Sequence, residues 1–185
     1  MGKKVLVAIA SGFEEIEFVA PVDILRRAGL DVTIAVSGYS RNIVGAHGIT
    51  IQGERLLSEI TSESYDLVVC PGGMECSLKL GEDRQLLKIL QETKRRGGVI
   101  ASICASPVNI FEKNGLLSDV DKAVSYPSMM NQLTRPDDSN SAVCVCSNVV
   151  TSQGPGTSIS FGLKLVELLC GLEKSKFIAD TIVAS

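Results

Sequence analysis

Cys104 is the residue whose surroundings best suit covalent chemistry. It follows the apolar run GVIASI at 98–103 and precedes the small residues Ala105 and Ser106. A nucleophile between a buried strand and a helix sits on a sharp turn, which small neighbours permit. Ser102 and Ser106 stand where the G-x-S-x-G elbow of hydrolases has glycines. Amides at the start of the helix can hold an anion and lower a thiol pKa from about 8.5 to about 3.5–7.5. The pattern predicts a reactive thiolate, with a buried, inert cysteine as the alternative.

Two further segments are expected at the same edge of the protein. SGFEEIE follows the apolar run VLVAIA, and Pro71, Gly72 and Gly73 follow the apolar run YDLVVC. Sites in open α/β sheets lie beyond the carboxyl ends of the strands, so both segments should lie beside Cys104. The amide of Ala105 and one from Gly72 or Gly73 would then form an oxyanion hole.

Alternating strand-like and helix-like patterns separate these segments. Apolar runs predict buried strands at 3–10, 31–37, 65–70 and 98–103, and helical spacing predicts helices at 14–27, 83–96, from Cys104 to about Phe111, after the GPG at 154–156, and at 173–183. Residues 42–53 predict a short β excursion, KAVSY a weak strand, and SAVCVCS with VVTS a hairpin. Apolar strands that alternate with helices indicate a doubly wound α/β fold, with a mostly parallel sheet between helices.

Length and composition indicate one domain, residues 1–185, with neither a membrane nor a nucleic acid as partner. The chain is 45% hydrophobic and 21% charged, which is typical of a protein with a substantial core. A net charge of −3 offers no broad basic field for phosphates, and no run approaches the ~20 apolar residues of a membrane span. The six cysteines are scattered and no signal-peptide pattern is present, so reduced thiols in a cytoplasmic protein are expected.

Five motifs resemble the ThiJ/PfpI superfamily and, within it, the DJ-one branch, which includes the Parkinson-associated protein and its bacterial relatives. They are ASGFEEIE, PVDILRRAG, YDLVVCPGG, ASICASP and TSQGPGTSISFGLKLVELLCG, and they occur in the family's order over nearly the whole chain. The resemblance implies a flavodoxin-like fold, similar to class I glutamine amidotransferases, and usually a homodimer.

The resemblance also implies roles for four residues. Cys104 would be a nucleophile that oxidises readily to a sulfinate, and Glu17 the glutamate whose carboxyl group hydrogen-bonds the cysteine sulfur. Gly73 and Ala105 would supply the oxyanion amides. The role of Glu17 also makes physical sense, because a carboxyl group beside a thiolate must be protonated if like charges are not to repel, so its pKa should rise.

One position departs from the family's pattern. Many members carry a His-Pro pair near the cysteine, where this chain has Tyr126 and Pro127. A Cys-His peptidase needs an imidazole to deprotonate the nucleophile and protonate the leaving group. The chain's single histidine, His47, lies in the minor β region and is expected in a surface or supporting position. Peptidase activity is therefore not expected unless His47 reaches Cys104.

The other positions of the predicted site are expected to surround the substrate or support the reacting groups. They are Gly72, Ser106, Tyr126 and Pro127. Glu14 and Glu15 are interpreted as solvated acids at a helix N-terminus, where negative charge complements the helix dipole.

The remaining cysteines divide into one candidate for redox chemistry and four expected in the core. Cys76 follows the PGG turn and could resolve an oxidised Cys104 as a disulfide. Cys144 and Cys146 share one face of a strand, and without a matching ligand pair core packing is favoured over a metal site. Core positions are expected for Cys70, Cys144, Cys146 and Cys170, and neither a metal nor an organic cofactor is predicted.

Two functions from different classes remain open. The resemblance implies glyoxalase or deglycase chemistry on α-oxoaldehydes such as methylglyoxal, or on their early adducts with proteins, in protection against carbonyl and oxidative stress. The alternative is a redox sensor or oxidation-responsive chaperone, which needs only a low-pKa thiolate and a neighbour that stabilises its oxidised form. Tyr126 in place of histidine favours the alternative.

Overall fold

A seven-stranded sheet forms the centre of the computed structural model, which describes residues 2–61, 63–120, 122–139 and 141–184. Its strands, in sequence order, are β1 Lys4–Ile9, β2 Asp31–Val36, β5 Arg55–Leu56, β6 Leu67–Cys70, β7 Val99–Ile103, β8 Val143–Cys146 and β9 Val149–Ser152. Across the sheet the order is β5-β2-β1-β6-β7-β9-β8, and β3 Asn42–Val44 pairs separately with β4 Thr50–Gln52.

The strands are parallel except at one edge. Every pair from β5 to β9 across the sheet is parallel, while β8 and β9 form the predicted antiparallel hairpin. The central runs are rich in valine and isoleucine and are buried on both faces, which is typical of a parallel sheet between helical layers. The predicted α/β fold, with a mostly parallel sheet between helices, is confirmed.

The described residues form five α-helices, of which α5 packs on α4: α1 Glu15–Arg27, α2 Met74–Glu82, α3 Arg84–Arg95, α4 Ser158–Cys170 and α5 Leu172–Thr181. Helix α1 packs closely on α4 because Gly162 has no side chain; a Cβ there would lie 2.9 Å from Ile24 Cδ1 and 3.2 Å from Pro21 Cα. None of the helices in the described ranges combines the length and apolarity needed to cross a bilayer.

Three local predictions differ from the structure. Helix α2 was not predicted, because its sequence MECSLKLGE carries only a weak apolar stripe and a glycine. The weak strand predicted at KAVSY is wrong, since only Ala123 forms a bridge there, with Pro136. The predicted helix after Cys104 is present but is a π-helix, Pro107–Glu112, a form found frequently at functional sites.

The strand order brings three loops together at one edge of the sheet. From β1 the chain passes to β2 on one side and later to β6 and β7 on the other, so the topological switch point lies between β1 and β6. Glu14 N–H, after β1, donates to the carbonyl of Gly72, after β6 (3.2 Å). Ser106 Oγ, after β7, donates to the carbonyl of Pro71 (2.6 Å). These bonds connect the segments that carry the predicted site.

Candidate active site

Cys104 adopts a strained backbone conformation at the end of β7. Its φ of 66° lies in the left-handed region, which costs a non-glycine residue roughly 1–3 kcal/mol. Neighbouring groups hold it there. Cys104 N–H donates to Ser152 O (3.0 Å), and Cys104 O accepts from Tyr126 N–H (2.8 Å) and from Ser125 Oγ (2.6 Å). The predicted elbow is therefore present and is fixed through both backbone groups of the nucleophile.

Glu17, in the first turn of α1, is completely buried beside this elbow. Its Oε2 accepts the N–H of Gly72 (2.8 Å), whereas its Oε1 has no hydrogen-bond partner among the described residues. A Cβ on Gly72 would lie 2.3 Å from Glu17 Oε2 and 2.6 Å from Cys104 Cβ. Only glycine therefore fits between the carboxyl group and the nucleophile. From the sequence, Gly72 was expected only to surround the substrate or support the reacting groups.

The thiol and the carboxyl group oppose each other's ionisation. Burial raises the pKa of Glu17 to about 7, although hydrogen bonds to Cys104 and Gly72 lower it in part. Burial also raises the pKa of the Cys104 thiol to about 12, with further contributions from the negative charge of Glu17 and the hydrogen bond to it. The predicted rise for Glu17 is confirmed. The predicted lowered thiol pKa is wrong, because the amides of Gly73 and Ala105 do not outweigh desolvation and the neighbouring carboxylate.

Protonation of Glu17 removes the contribution that its negative charge makes to the raised pKa of Cys104. A neutral carboxyl group exerts no charge repulsion and can donate a hydrogen bond to the sulfur, which favours the thiolate. Because the two groups interact strongly, they titrate as a pair rather than independently. The pKa values of about 7 for Glu17 and about 12 for Cys104 place the remaining proton on the thiol, so attack by a thiolate requires transfer of that proton to Glu17.

Two backbone amides lie beside the Cys104 side chain. The N–H groups of Gly73 and Ala105 interact with it and lower the pKa of its thiol. Gly73 is the residue before α2, with φ 89°, and a Cβ there would lie 2.1 Å from Gly12 O, so no other residue fits. The two amides predicted for an oxyanion hole are thus brought together at the reacting atom, where they can stabilise negative charge.

Tyr126 lies at the rim of the site, where many family members have histidine. Its backbone binds Cys104 as described, and its ring is 44% exposed. A Cβ on Gly154 would lie 3.3 Å from Tyr126 Cδ2 and 3.9 Å from Glu17 Oε1, so the ring and the free carboxyl oxygen border the same narrow space. Pro127 is exposed and begins a short 3-10 turn, and the Ser106 hydroxyl is buried against Pro71. Of the four predicted surrounding residues, Tyr126 and Gly72 border the reacting groups, and Ser106 is structural.

His47 is bound to an acidic residue and not to the nucleophile. Its Nδ1 lies 2.9 Å from Glu15 Oε2, and its N–H donates to Glu15 Oε1 (2.8 Å). Glu15 is buried, not solvated as predicted; burial raises its pKa, and the hydrogen bonds from His47 outweigh that effect and bring the pKa below its usual value. Glu15 therefore anchors the loop between β3 and β4 to the start of α1.

Together with Glu14, this pair is a group with the residue types of a metal site. Ligand atoms of Glu14, Glu15 and His47 lie within 4.8 Å of one another. One oxygen of Glu15 already accepts backbone N–H groups, and the other accepts the imidazole, so the contacts are those of a loop anchor.

The other cysteines have mostly structural surroundings. Cys76, in the first turn of α2, is 0% exposed; its sulfur accepts the N–H of Ala10 (3.3 Å), and burial raises its thiol pKa to about 12. These are the properties of a core cysteine and the opposite of those a resolving thiol needs. Cys70 and Cys144 are buried as predicted, but Cys146 is half-buried and Cys170 is exposed, which corrects the prediction for both.

Comparison with known proteins identifies relatives along nearly the whole chain. Residues 3–168 match the model of the DJ-1/PfpI family. "Protein DJ-1 homolog B" of Arabidopsis thaliana is 38% identical over 92% of this chain, and the chain spans only 39% of that protein's length. The "Glutathione-independent glyoxalase DJR-1.2" of Caenorhabditis elegans is 32% identical over 88% of this chain and 86% of its own length. The structure entitled "Toxoplasma gondii DJ-1, oxidized" superposes with a TM-score of 0.94 at 37% identity, and 98% of each chain is covered.

Proposed function

This chain belongs to the DJ-1/PfpI family, and on that premise we propose that it is a cysteine-dependent enzyme of the glyoxalase or protein-deglycase type. Its substrates would be α-oxoaldehydes such as methylglyoxal, or their early adducts with proteins, and it would need no cofactor. The observation that carries the proposal is the surroundings of Cys104. Two amides lie beside its side chain, and the buried carboxyl group next to it has a pKa of about 7 and one unpartnered oxygen. The glyoxalase named among the relatives supports the same chemistry.

The first step joins the thiolate to the substrate. The Cys104 sulfur attacks the aldehyde carbon of methylglyoxal and forms a C–S bond, while the carbonyl π electrons move to oxygen. The amides of Gly73 and Ala105 stabilise that oxygen as its charge develops. Glu17 delivers its proton to the oxygen, which gives a hemithioacetal and leaves a carboxylate.

The second step moves a proton between adjacent carbons. The Glu17 carboxylate removes the proton from the former aldehyde carbon; the C–H electron pair forms a carbon–carbon double bond, and the ketone π electrons move to the ketone oxygen, which gives an enediolate. Glu17 returns its proton to the neighbouring carbon, and the hydroxyl proton on the first carbon passes to the enediolate oxygen, so the first carbon becomes the carbonyl of a lactate thioester on Cys104. Water then hydrolyses the thioester to lactate and regenerates the thiol. A pKa of about 7 suits Glu17 for both directions of transfer, because an acid–base group works best near the operating pH.

Peptide hydrolysis is not part of the proposal. It requires protonation of an amine leaving group, for which cysteine peptidases use a histidine paired with the nucleophile. The only histidine of the chain is engaged by Glu15, and Tyr126 occupies the family's histidine position. A carbon-to-carbon proton transfer by Glu17 needs no such group.

A redox sensor or oxidation-regulated chaperone is the second candidate. The unpartnered Oε1 of protonated Glu17 and the two amides could hydrogen-bond the oxygens of a Cys104 sulfinate. Cys76 is in the core, so the expected end product is a sulfinate and not a disulfide. Cys70, Cys76, Cys104, Cys144 and Cys170 are free thiols, which suits the reducing cytosol that we propose as the compartment.

A lactate assay separates the two candidates. Wild-type protein, Cys104→Ala and Glu17→Gln are incubated with methylglyoxal, and Glu173→Gln, whose side chain is almost fully exposed, serves as the control. For the enzyme we expect turnover by the wild type and by Glu173→Gln within about threefold. We expect none with Cys104→Ala and a loss of about 10²–10⁴-fold with Glu17→Gln, as is typical of removing an acid–base group.

Intact-mass analysis after mild peroxide treatment tests the redox-sensor candidate. Oxidation confined to Cys104, together with no lactate from the wild type, would reject the enzyme and favour the sensor. A product 2 Da lighter that disappears in Cys76→Ser would restore the resolving role predicted for Cys76.

A further inference from the structure

A buried polar pair joins the two helices that border the nucleophile. Asn109, in the π-helix Pro107–Glu112, donates from Nδ2 to Ser77 Oγ of α2 (2.9 Å). Ser77 is 0% and Asn109 4% exposed. The partners lie 32 residues apart in the chain and belong to no sequence motif, so sequence reasoning had no signal for them.

Each partner hydrogen-bonds the carbonyl of one of the two residues whose N–H groups would form the oxyanion hole. Ser77 N–H donates to Gly73 O (2.9 Å), and Ser77 Oγ donates to Met74 O (2.9 Å), so Ser77 fixes the turn that presents the Gly73 amide. Asn109 N–H donates to Ala105 O (2.9 Å), directly after the nucleophile. The side-chain bond between Ser77 and Asn109 therefore connects the turn at Gly73 with the turn at Ala105.

The pair is also fully satisfied and closely packed. Asn109 Oδ1 accepts from Lys113 Nζ (2.8 Å), so the orientation of the amide is set, with its nitrogen towards Ser77. A Cβ on Gly81 would lie 2.4 Å from Asn109 O, so α2 and the π-helix approach as closely as their backbones allow. Loss of one partner would leave a buried polar group unpaired in a place where the backbones cannot close the gap.

We propose that Asn109 is a positioning residue, which acts through Ser77 to hold the Gly73 amide at the distance from the Cys104 sulfur that stabilises the thiolate and the developing oxyanion. The proposal rests on the proposed function for its effect on turnover. Its effect on the thiolate is independent of any substrate. Asn109 touches neither the sulfur nor the substrate; its contribution is the fixed separation of two turns.

The test measures thiol reactivity without substrate. The rate of alkylation of Cys104 by iodoacetamide is followed against pH by peptide mass, which separates it from the exposed Cys170. The variants are Asn109→Ala, Ser77→Ala and their combination, with Asn109→Asp as a variant of nearly native shape. The matched control is Asn114→Ala, which removes bonds to Gly81 O (3.2 Å) and Ile110 O (2.8 Å) at the far end of α2.

We expect each single variant to move the alkylation midpoint upward by about half a pH unit or more, because Gly73 lies farther from the thiolate. The double variant should match the singles, and Asn114→Ala should match the wild type. If lactate is formed, kcat should fall about tenfold with KM within twofold, since an oxyanion donor acts in the transition state. Lower melting temperatures with an unchanged alkylation midpoint would overturn the proposal, and that result is readable even if the protein forms no lactate.

Discussion

At the scale of single residues, the chemistry depends on the proton held between the buried Glu17 carboxyl group and the half-buried Cys104 thiol. Glu17 and Cys104 cannot both be ionised at low energetic cost, because burial penalises each charge and the two charges repel. The amides of Gly73 and Ala105 bias the pair towards the thiolate. The site therefore places a thiol and a carboxyl group side by side, with Tyr126 at the position where the family resemblance implies a histidine.

The buried carboxyl group predicts a dependence of stability on pH. The pKa of Glu17 rises from 4.5 to about 7 on folding, so the folded protein holds a proton that the unfolded chain releases. The stability associated with this group is complete below pH 4.5 and is lost as pH rises to about 7, by about 3 kcal/mol at most. Glu17→Gln, which stays neutral, should therefore gain about 1–3 kcal/mol relative to the wild type between pH 5 and pH 8.

Urea unfolding at pH 5 and pH 8 measures this difference. Glu173→Gln, whose side chain is almost fully exposed, is the control and should give the same difference from the wild type at both pH values. An equal difference for Glu17→Gln at both pH values would show that its carboxyl group titrates as in the unfolded chain.

At the scale of elements, the site depends on how closely the turns after β1, β6 and β7 approach one another. Gly72 and Gly73 lie where the turns meet, and a side chain at either position would overlap a neighbouring segment. The approach leaves no space for water between Gly72 and the reacting pair, which sustains the burial that shifts both pKa values.

A pair of glycine variants tests this element-level claim. In Gly72→Ala the methyl group would meet Glu17 Oε2 at 2.3 Å and Cys104 Cβ at 2.6 Å. We expect at least about a 100-fold loss of turnover and of alkylation at neutral pH, because a displacement of about 1 Å can cost that much. Gly156→Ala faces open space at the start of the turn before α4 and should retain wild-type activity.

The melting temperature of both variants serves as the folding check. A folded Gly72→Ala protein with normal activity would mean that the turns move apart without harm to the site.

At the scale of the whole molecule, one face of α1 remains uncovered. Its inner face packs on α4, but Ile16 and Val19 on the outer face are 56% and 53% exposed, and Ile159 at the start of α4 lies exposed as well. Exposed aliphatic residues on one helix face are typical of a surface that contacts another protein. Since the family resemblance implies a homodimer, we propose that a second copy of the chain covers this face.

A charge on that face should separate the copies. Val19→Asp is expected to sediment as a monomer at a concentration at which the wild type is a dimer, because an unpaired carboxylate would be buried in the contact. Tyr39→Asp, on an exposed loop away from α1, should remain a dimer. A monomeric wild type, or an unaffected Val19→Asp dimer, would contradict the proposed surface.

The layers of the fold and the identity of the reacting groups could be predicted from local patterns and motifs. Apolar runs of valine and isoleucine between amphipathic segments predict parallel strands and helices from local patterning alone. Placing nucleophile and amides after successive strands then predicts that Cys104, Gly73 and Ala105 converge, because parallel strands end at one edge. The role of Glu17, in contrast, was predicted from the motif resemblance.

The energetics and the partners of those groups follow from how the folded chain packs around them. The raised thiol pKa, the buried Glu15 anchor of His47, the core position of Cys76 and the bond between Asn109 and Ser77 all depend on residues distant in the chain. Desolvation and hydrogen bonding are properties of three-dimensional surroundings, and no local pattern records them. The order of segments along the chain therefore predicted which groups lie together. Their packing in the folded protein determined the pKa values and hydrogen-bond partners of those groups.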